Sequence, residues 1–124
     1  MRSITLLALC ALLTGCPLVF EATVHNNTNQ PIEIVWGAEH LAPSKIDSSA
    51  TVVIPWFLLC VTINSGGISE HYQVPELLPK NVQTSGRFSS RITFPVVINN
   101  EGLNFENKSG ELIPVKKVSE CGRT

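Results

Sequence analysis

The sequence predicts an all-β fold, a small antiparallel β-sandwich of immunoglobulin-like size with seven or eight strands. Three observations predict it. From residue 16 onward the chain carries 12 Val, 9 Ile and 7 Thr against 8 Leu, 4 Ala and no Met, so β-branched residues outnumber strong helix formers. Short apolar runs alternate with polar residues at a period of two. Between them stand 9 Asn, 7 Gly and 8 Pro, the residues that stop strands and make turns.

The elements follow in order. Residues 18–25 alternate, with Leu18, Phe20, Ala22 and Val24 on one face and Val19, Glu21, Thr23 and His25 on the other. Residues 26–31, NNTNQP, are a turn. Residues 32–36 are a second strand with Ile32, Ile34 and Trp36 inward. Residues 39–49 are a loop around Pro43, and residues 50–54 a third strand stopped by Pro55. The unbroken apolar run 57–63, FLLCVTI, predicts a central strand covered on both faces. Asn64-Ser65-Gly66-Gly67 is a hairpin turn, and residues 68–74 return from it. Residues 75–81 are a loop. Residues 88–98 are a long strand bent at Pro95. Asn99-Asn100-Glu101-Gly102 turns it back into residues 103–107, and Lys108-Ser109-Gly110-Glu111 leads into a last strand at 112–118. Trp56 precedes Cys60, and Cys121 lies past the last strand, which departs from the immunoglobulin order of Cys, Trp and Cys. A half-open barrel is the competing architecture.

The whole chain has 124 residues, one domain's worth. Nine basic and ten acidic residues leave a net charge of −1, which offers no basic surface for nucleic acid. A hydrophobic content of 44% with 15% charged residues excludes a disordered chain.

The N-terminus has its own character. Arg2 is followed by residues 4–14, ITLLALCALLT, eleven uncharged residues, too few to span a hydrocarbon core of about 30 Å. The competing reading is a buried N-terminal helix. The run ends in Leu13-Thr14-Gly15-Cys16. These four residues resemble the lipobox of bacterial lipoprotein signal peptides, and the resemblance covers residues 1–16 alone. It implies a signal peptide at 1–15, a lipid on the Cys16 thiol, cleavage before Cys16, and a domain at 16–124 anchored outside the cytoplasm. Ordinary secretion is the alternative. Pro17 stands where this family places Asp for inner-membrane retention, which implies outer-membrane sorting. Two or three acyl chains at about 0.8 kcal/mol per buried methylene anchor a protein without a spanning segment. The first strand begins at Leu18 or Val19, so only two or three residues separate lipid from fold and the tether reaches about 10 Å at most.

With Cys10 in the signal peptide and Cys16 carrying lipid, Cys60 and Cys121 remain. A pair in an oxidising compartment reads as one disulfide, and two free buried thiols are the alternative.

Candidate chemistry is sparse. Lys108-Ser109-Gly110 is similar to one element of the penicillin-binding enzymes, but the companion Ser-x-x-Lys and Ser-x-Asn elements are missing. His25, His40 and His71 show no metal-ligand spacing, and Glu70 and His71 point to opposite faces of a strand. No metal and no cofactor is expected. Asn26-Asn27-Thr28 and Asn107-Lys108-Ser109 match the glycosylation sequon and read better as turns. Trp36, Trp56, Phe57 and Tyr72 are the candidates for an exposed contact surface, with Trp56 and Phe57 at a corner after Pro55; the competing reading of the apolar run 52–63 is two core strands joined at Pro55-Trp56. The expected function is a non-enzymatic module, lipid-anchored near the membrane, that binds an envelope protein. A small-ligand or cell-wall binding module and an enzyme of unrecognised type are the alternatives.

Overall fold

The computed structural model describes residues 19–38, 40–57, 59–82, 84 and 91–121. The signal-peptide and lipobox readings, Cys16 included, lie outside those residues. The described chain is all-β, and its ten strands form two five-stranded sheets packed face to face.

One sheet is built from β1 (Val19–Asn26), β4 (Thr51–Pro55), β7 (Arg91–Asn99), β8 (Gly102–Glu106) and β9 (Leu112–Pro114), in the order β4-β1-β7-β8-β9. The other holds β2 (Ile32–Trp36), β3 (Ser44–Ile46), β5 (Cys60–Ser65), β6 (Ile68–Gln73) and β10 (Lys116–Val118), in the order β10-β6-β5-β2-β3. The pairings are antiparallel except β1 with β7, which run parallel with Ala22 opposite Phe94 and Asn26 opposite Ile98.

Alternation decides what each strand buries. Ala22 and Val24 of β1, Ile54 of β4, Phe94, Val96 and Ile98 of β7, and Leu103 and Phe105 of β8 face inward. They meet Ile32, Ile34, Trp36, Ile46, Val61, Ile63 and Tyr72 from the other sheet. Trp56 packs between the layers near the start of β1, edge-on to Trp36 at 5.2 Å and to Phe94 at 5.4 Å.

Three readings need correction. The 57–63 run is not one strand covered on both faces. Its strand begins at Cys60, and Thr62 and Asn64 point outward, where each is only partly buried. The 39–49 loop contains β3. The 112–118 strand is two: the chain leaves one sheet at Pro114, buries Val115 between the layers, and joins the other at Lys116. The Val115 amide donates to the Leu103 carbonyl at 2.9 Å and pins that crossing. Residues 47–50 make the matching crossing on the other side, from β3 to β4. Both lateral edges of the sandwich are thus closed by short covalent links.

Pro95 lies inside β7, one residue before the β7–β8 ladder starts at Val96 opposite Phe105, so its missing N–H deprives β8 of no donor. Gly66 and Gly67, at φ 57° and 81°, form the two-residue β5–β6 turn and supply the left-handed backbone a tight hairpin requires. Cys60 and Cys121 are disulfide-bonded with Cα atoms 5.4 Å apart, tying the residues after β10 to the start of β5. Closing a 61-residue interval restricts the unfolded chain by about 4 kcal/mol in the loop-entropy model.

Asn26 is the deepest polar residue, fully buried at the end of β1. Its side-chain amide donates toward the carbonyls of Gln30, Ile46 and Asp47 at 2.8, 3.1 and 3.1 Å. Its side-chain oxygen accepts from the Thr28 amide and hydroxyl at 3.1 and 2.6 Å. Its buried amide has no exposure to offer a sugar, so the 26–28 sequon is a turn in fact. Replacing Asn26 by Ala removes the donor from one buried and two partly buried hydrogen bonds to carbonyls, and the unfolding free energy is expected to fall by roughly 2–3 kcal/mol. Urea denaturation measures it. A loss below about 0.5 kcal/mol, the scale of a neutral surface change, would mean those carbonyls do not depend on this side chain.

Candidate functional site

The strands place the contact-surface candidates in the interior. Trp36, Trp56 and Tyr72 are 4%, 6% and 1% exposed, so none of them forms a contact surface. The cause for Trp56 is its phase. It follows Ile54 by two positions and prolongs the β1–β4 ladder through its amide to the Phe20 carbonyl at 2.9 Å, so its ring turns inward like that of Ile54. Phe57 is half-buried, edge-on to Trp36 at 5.2 Å.

The opening into the molecule lies elsewhere, at the pole where β1 ends. There the sheets separate around a cleft of about 340 Å³. Its walls are inward-facing residues of both sheets: Ile32 at the start of β2, Ile63 and Ser65 near the end of β5, Ile68, Glu70 and Tyr72 of β6, and Ile98 near the end of β7. Its rim is two turns, Thr28-Asn29-Gln30 from one side and Asn99-Asn100 from the other.

The rim is fixed by asparagine chemistry. The Asn99 side-chain oxygen accepts from the Glu101 and Gly102 amides at 3.0 and 3.1 Å, and from the Asn104 amide nitrogen at 3.3 Å. On the other side the Asn26 hydrogen bonds hold the Thr28–Gln30 turn, and the Gln30 amide lies over Gly66.

The floor is a polar triad on one strand and its neighbour. The Tyr72 hydroxyl donates to Glu70 Oε2 at 2.5 Å, and Lys117 Nζ stands 3.4 Å from the same oxygen. Lys117 pairs with Tyr72 across β10 and β6, so both side chains project on one face. Gly102 leaves room for them. A Cβ there would lie 2.5 Å from the Tyr72 hydroxyl oxygen and 3.2 Å from Lys117 Cε, and its φ of 135° also favours glycine.

This arrangement moves two protonation equilibria. The Tyr72 hydrogen bond, aided by Lys117, holds the Glu70 carboxyl below its ordinary value against the opposing effect of burial. Burial first, then the hydrogen bond to Glu70 and its charge, raise the Tyr72 phenol well above its ordinary 10.0.

The remaining candidates do not converge. His25 bonds Thr51 at 2.7 Å on the outer face of one sheet, and His71 bonds Thr62 at 2.7 Å on the outer face of the other. His40 is exposed. Among the described residues no group of three His, Cys, Asp or Glu side chains is placed to hold a metal ion. Asn107 caps its turn by accepting from the Ser109 and Glu111 amides at 2.9 and 2.8 Å. Sequence reasoning missed Glu70 because it weighed the residue only beside His71. The usable signal was its phase: Ile68, Glu70 and Tyr72 share one face, so a carboxylate points inward.

Comparison of the chain with protein-family models, with curated proteins and with solved structures finds no match.

The titration has a direct readout, because Tyr72 is the only tyrosine. The raised phenol contributes stability that is present below pH 10.0 and lost as pH rises toward the folded value. Tyrosinate absorbance is therefore expected to appear together with unfolding and not near 10. In Glu70→Gln it is expected at lower pH than in the parent. On the acid side, Glu70 contributes stability that is present above 4.5 and lost as pH falls through its lower folded value. Glu70→Gln is expected to flatten that acid limb. Identical acid limbs in the two proteins would remove the triad from the account.

Proposed function

We propose that the chain is a non-enzymatic, lipid-anchored envelope protein that binds a protein partner close to the membrane surface. The observation that carries this reading is the interval between Cys16, where the sequence resembles a lipobox, and Val19, where β1 begins three positions later. A lipid at Cys16 then holds the sandwich within about 10 Å of the bilayer.

The composition of the two poles supports the same orientation. Leu41, Phe57, Leu59 and Leu78 pack partly exposed against the core at the pole where β1 starts, and Leu77 beside them is 83% exposed. An apolar pole beside the tether suits contact with headgroups and the upper acyl region. The cleft opens at the other pole, about 25 Å along β1. A partner approaching from the aqueous side meets the cleft first.

The state of the polar groups supports a binding role over catalysis. The cleft's carboxylate is already engaged by Tyr72 and Lys117, and the three histidines lie outside its lining. A second reading, a small-ligand or cell-wall binding module, is favoured by the cleft volume of about 340 Å³, which lies in the range of ligand sites, about 300–1,000 Å³.

Cys16→Ser is expected to abolish incorporation of labelled palmitate and to move the protein from the membrane to the soluble fraction. Palmitate incorporation that survives the substitution would refute the anchor. Crosslinking of the lipidated protein in its native envelope is expected to recover a protein partner, and recovery of lipid alone would count against the binding role. A flexible linker inserted after Pro17 is expected to weaken function if closeness to the bilayer matters, and full activity would remove that part of the proposal.

A further inference from the structure

We infer that the open-pole cleft receives an uncharged, extended peptide segment and seats one of its aliphatic side chains between the two sheets. The inference names the partner chemistry for the protein-binding reading above and rests on that reading.

The walls make the first argument. Ile68 faces inward by its place in β6, two residues before Glu70 and four before Tyr72, yet it is 65% exposed. Among the described residues nothing from the opposite sheet covers it: the β7–β8 turn at Asn99–Gly102 lines the cleft with it, and Gly102 brings no side chain. Ile32, Ile63 and Ile98 continue the apolar surface below it. The interior layer therefore leaves an apolar position unfilled opposite Ile68 at this end. An aliphatic side chain inserted from outside supplies the missing contact.

The rim makes the second. Asn29, Gln30 and Asn100 are exposed amides from two facing turns, with Asn99 half-buried beside them. Side-chain amides both donate and accept, as a peptide backbone requires. Charge makes the third. Glu70 is the only charged group among the lining residues, and Lys117 neutralises it at 3.4 Å. The pair leaves the lining without a net charge to compensate the desolvation of an anionic or a cationic side chain, so the site favours an uncharged one. A volume of about 340 Å³ suits one side chain with its flanking amides and is too small for a broad surface-to-surface contact.

The test uses the full chain, isotope-labelled in detergent micelles and titrated with blocked tripeptides while backbone amide shifts are read. Acetyl-Gly-Leu-Gly-amide is expected to shift the Gly66 and Gly102 amides saturably. Peptides with Ala, Asp or Lys at the centre are expected to bind about tenfold more weakly, the equivalent of one buried aliphatic side chain. Ile68→Asp, at an exposed position, is expected to abolish the response while shifts elsewhere stay in place. Equal responses to all four peptides, no saturable shift, or an unaffected Ile68→Asp variant each overturn the inference. Isobutyramide bound as tightly as the leucine peptide overturns it in favour of a small-molecule site. Envelope crosslinking of the same variant separates the two levels. A partner captured undiminished by Ile68→Asp leaves protein binding standing and removes the cleft from it, whereas a parent protein that captures no partner removes the reading on which the inference rests.

Discussion

The fold turns on one buried amide. Asn26 sits where three things meet: the end of the parallel β1–β7 pair, the turn into β2, and the crossing from β3 to β4. Its side chain answers carbonyls from the turn and the crossing together, while its own backbone amide donates to Ala50 and its carbonyl accepts from Ser49, both at 2.9 Å. An apolar residue of that size would fill the space but leave the Gln30, Ile46 and Asp47 carbonyls without this donor. The same hydrogen bonds fix the Thr28–Gln30 turn that forms one side of the cleft's rim.

The two ends of the sandwich illustrate different ways to finish a β interior. At one end four aromatic rings, from Trp36, Trp56, Phe94 and Phe105, close the gap by edge-on packing. At the other end the residues entering the interlayer space are isoleucines, a glutamate and a tyrosine hydroxyl, which leave room. Lys117 connects that end to the disulfide, since it lies on the three-residue β10 that Cys121 ties to Cys60. The electrical neutrality of the cleft floor depends on an edge strand that a covalent bond holds near its place.

Much of this was legible in the sequence, and the gaps have physical causes. The strand at 32–36 could be read to the residue, because Pro31 starts it and three apolar side chains alternate through it. The glycine pair at 66–67 announces its hairpin by chemistry alone. The crossing at Val115 could not be read: residues 112–118 keep their alternation while changing sheets, and a local pattern does not say which neighbour a strand has. The parallel β1–β7 pair is unreadable for the same reason, being a contact between distant segments. Trp56 allowed two readings, a junction of two core strands and an exposed corner after Pro55, and its phase with Ile54 carries the ring inside. Glu70 was visible all along as an acidic residue on an inward face, and its meaning required the neighbours Tyr72 and Lys117 to be known.

The short outer strands carry a consequence for chains at high density. Each sheet ends in strands that are poor templates. β3 has three residues with Lys45 at its middle, β9 has three and ends in Pro114, β10 begins Lys116-Lys117, and β4 ends in Pro55. A neighbouring molecule sliding alongside finds few free backbone groups in a row, and at each of the four edges a lysine or a proline among them. Copies crowded side by side would jostle without templating one another along these edges, and crowding would not make them the seed of a fibril.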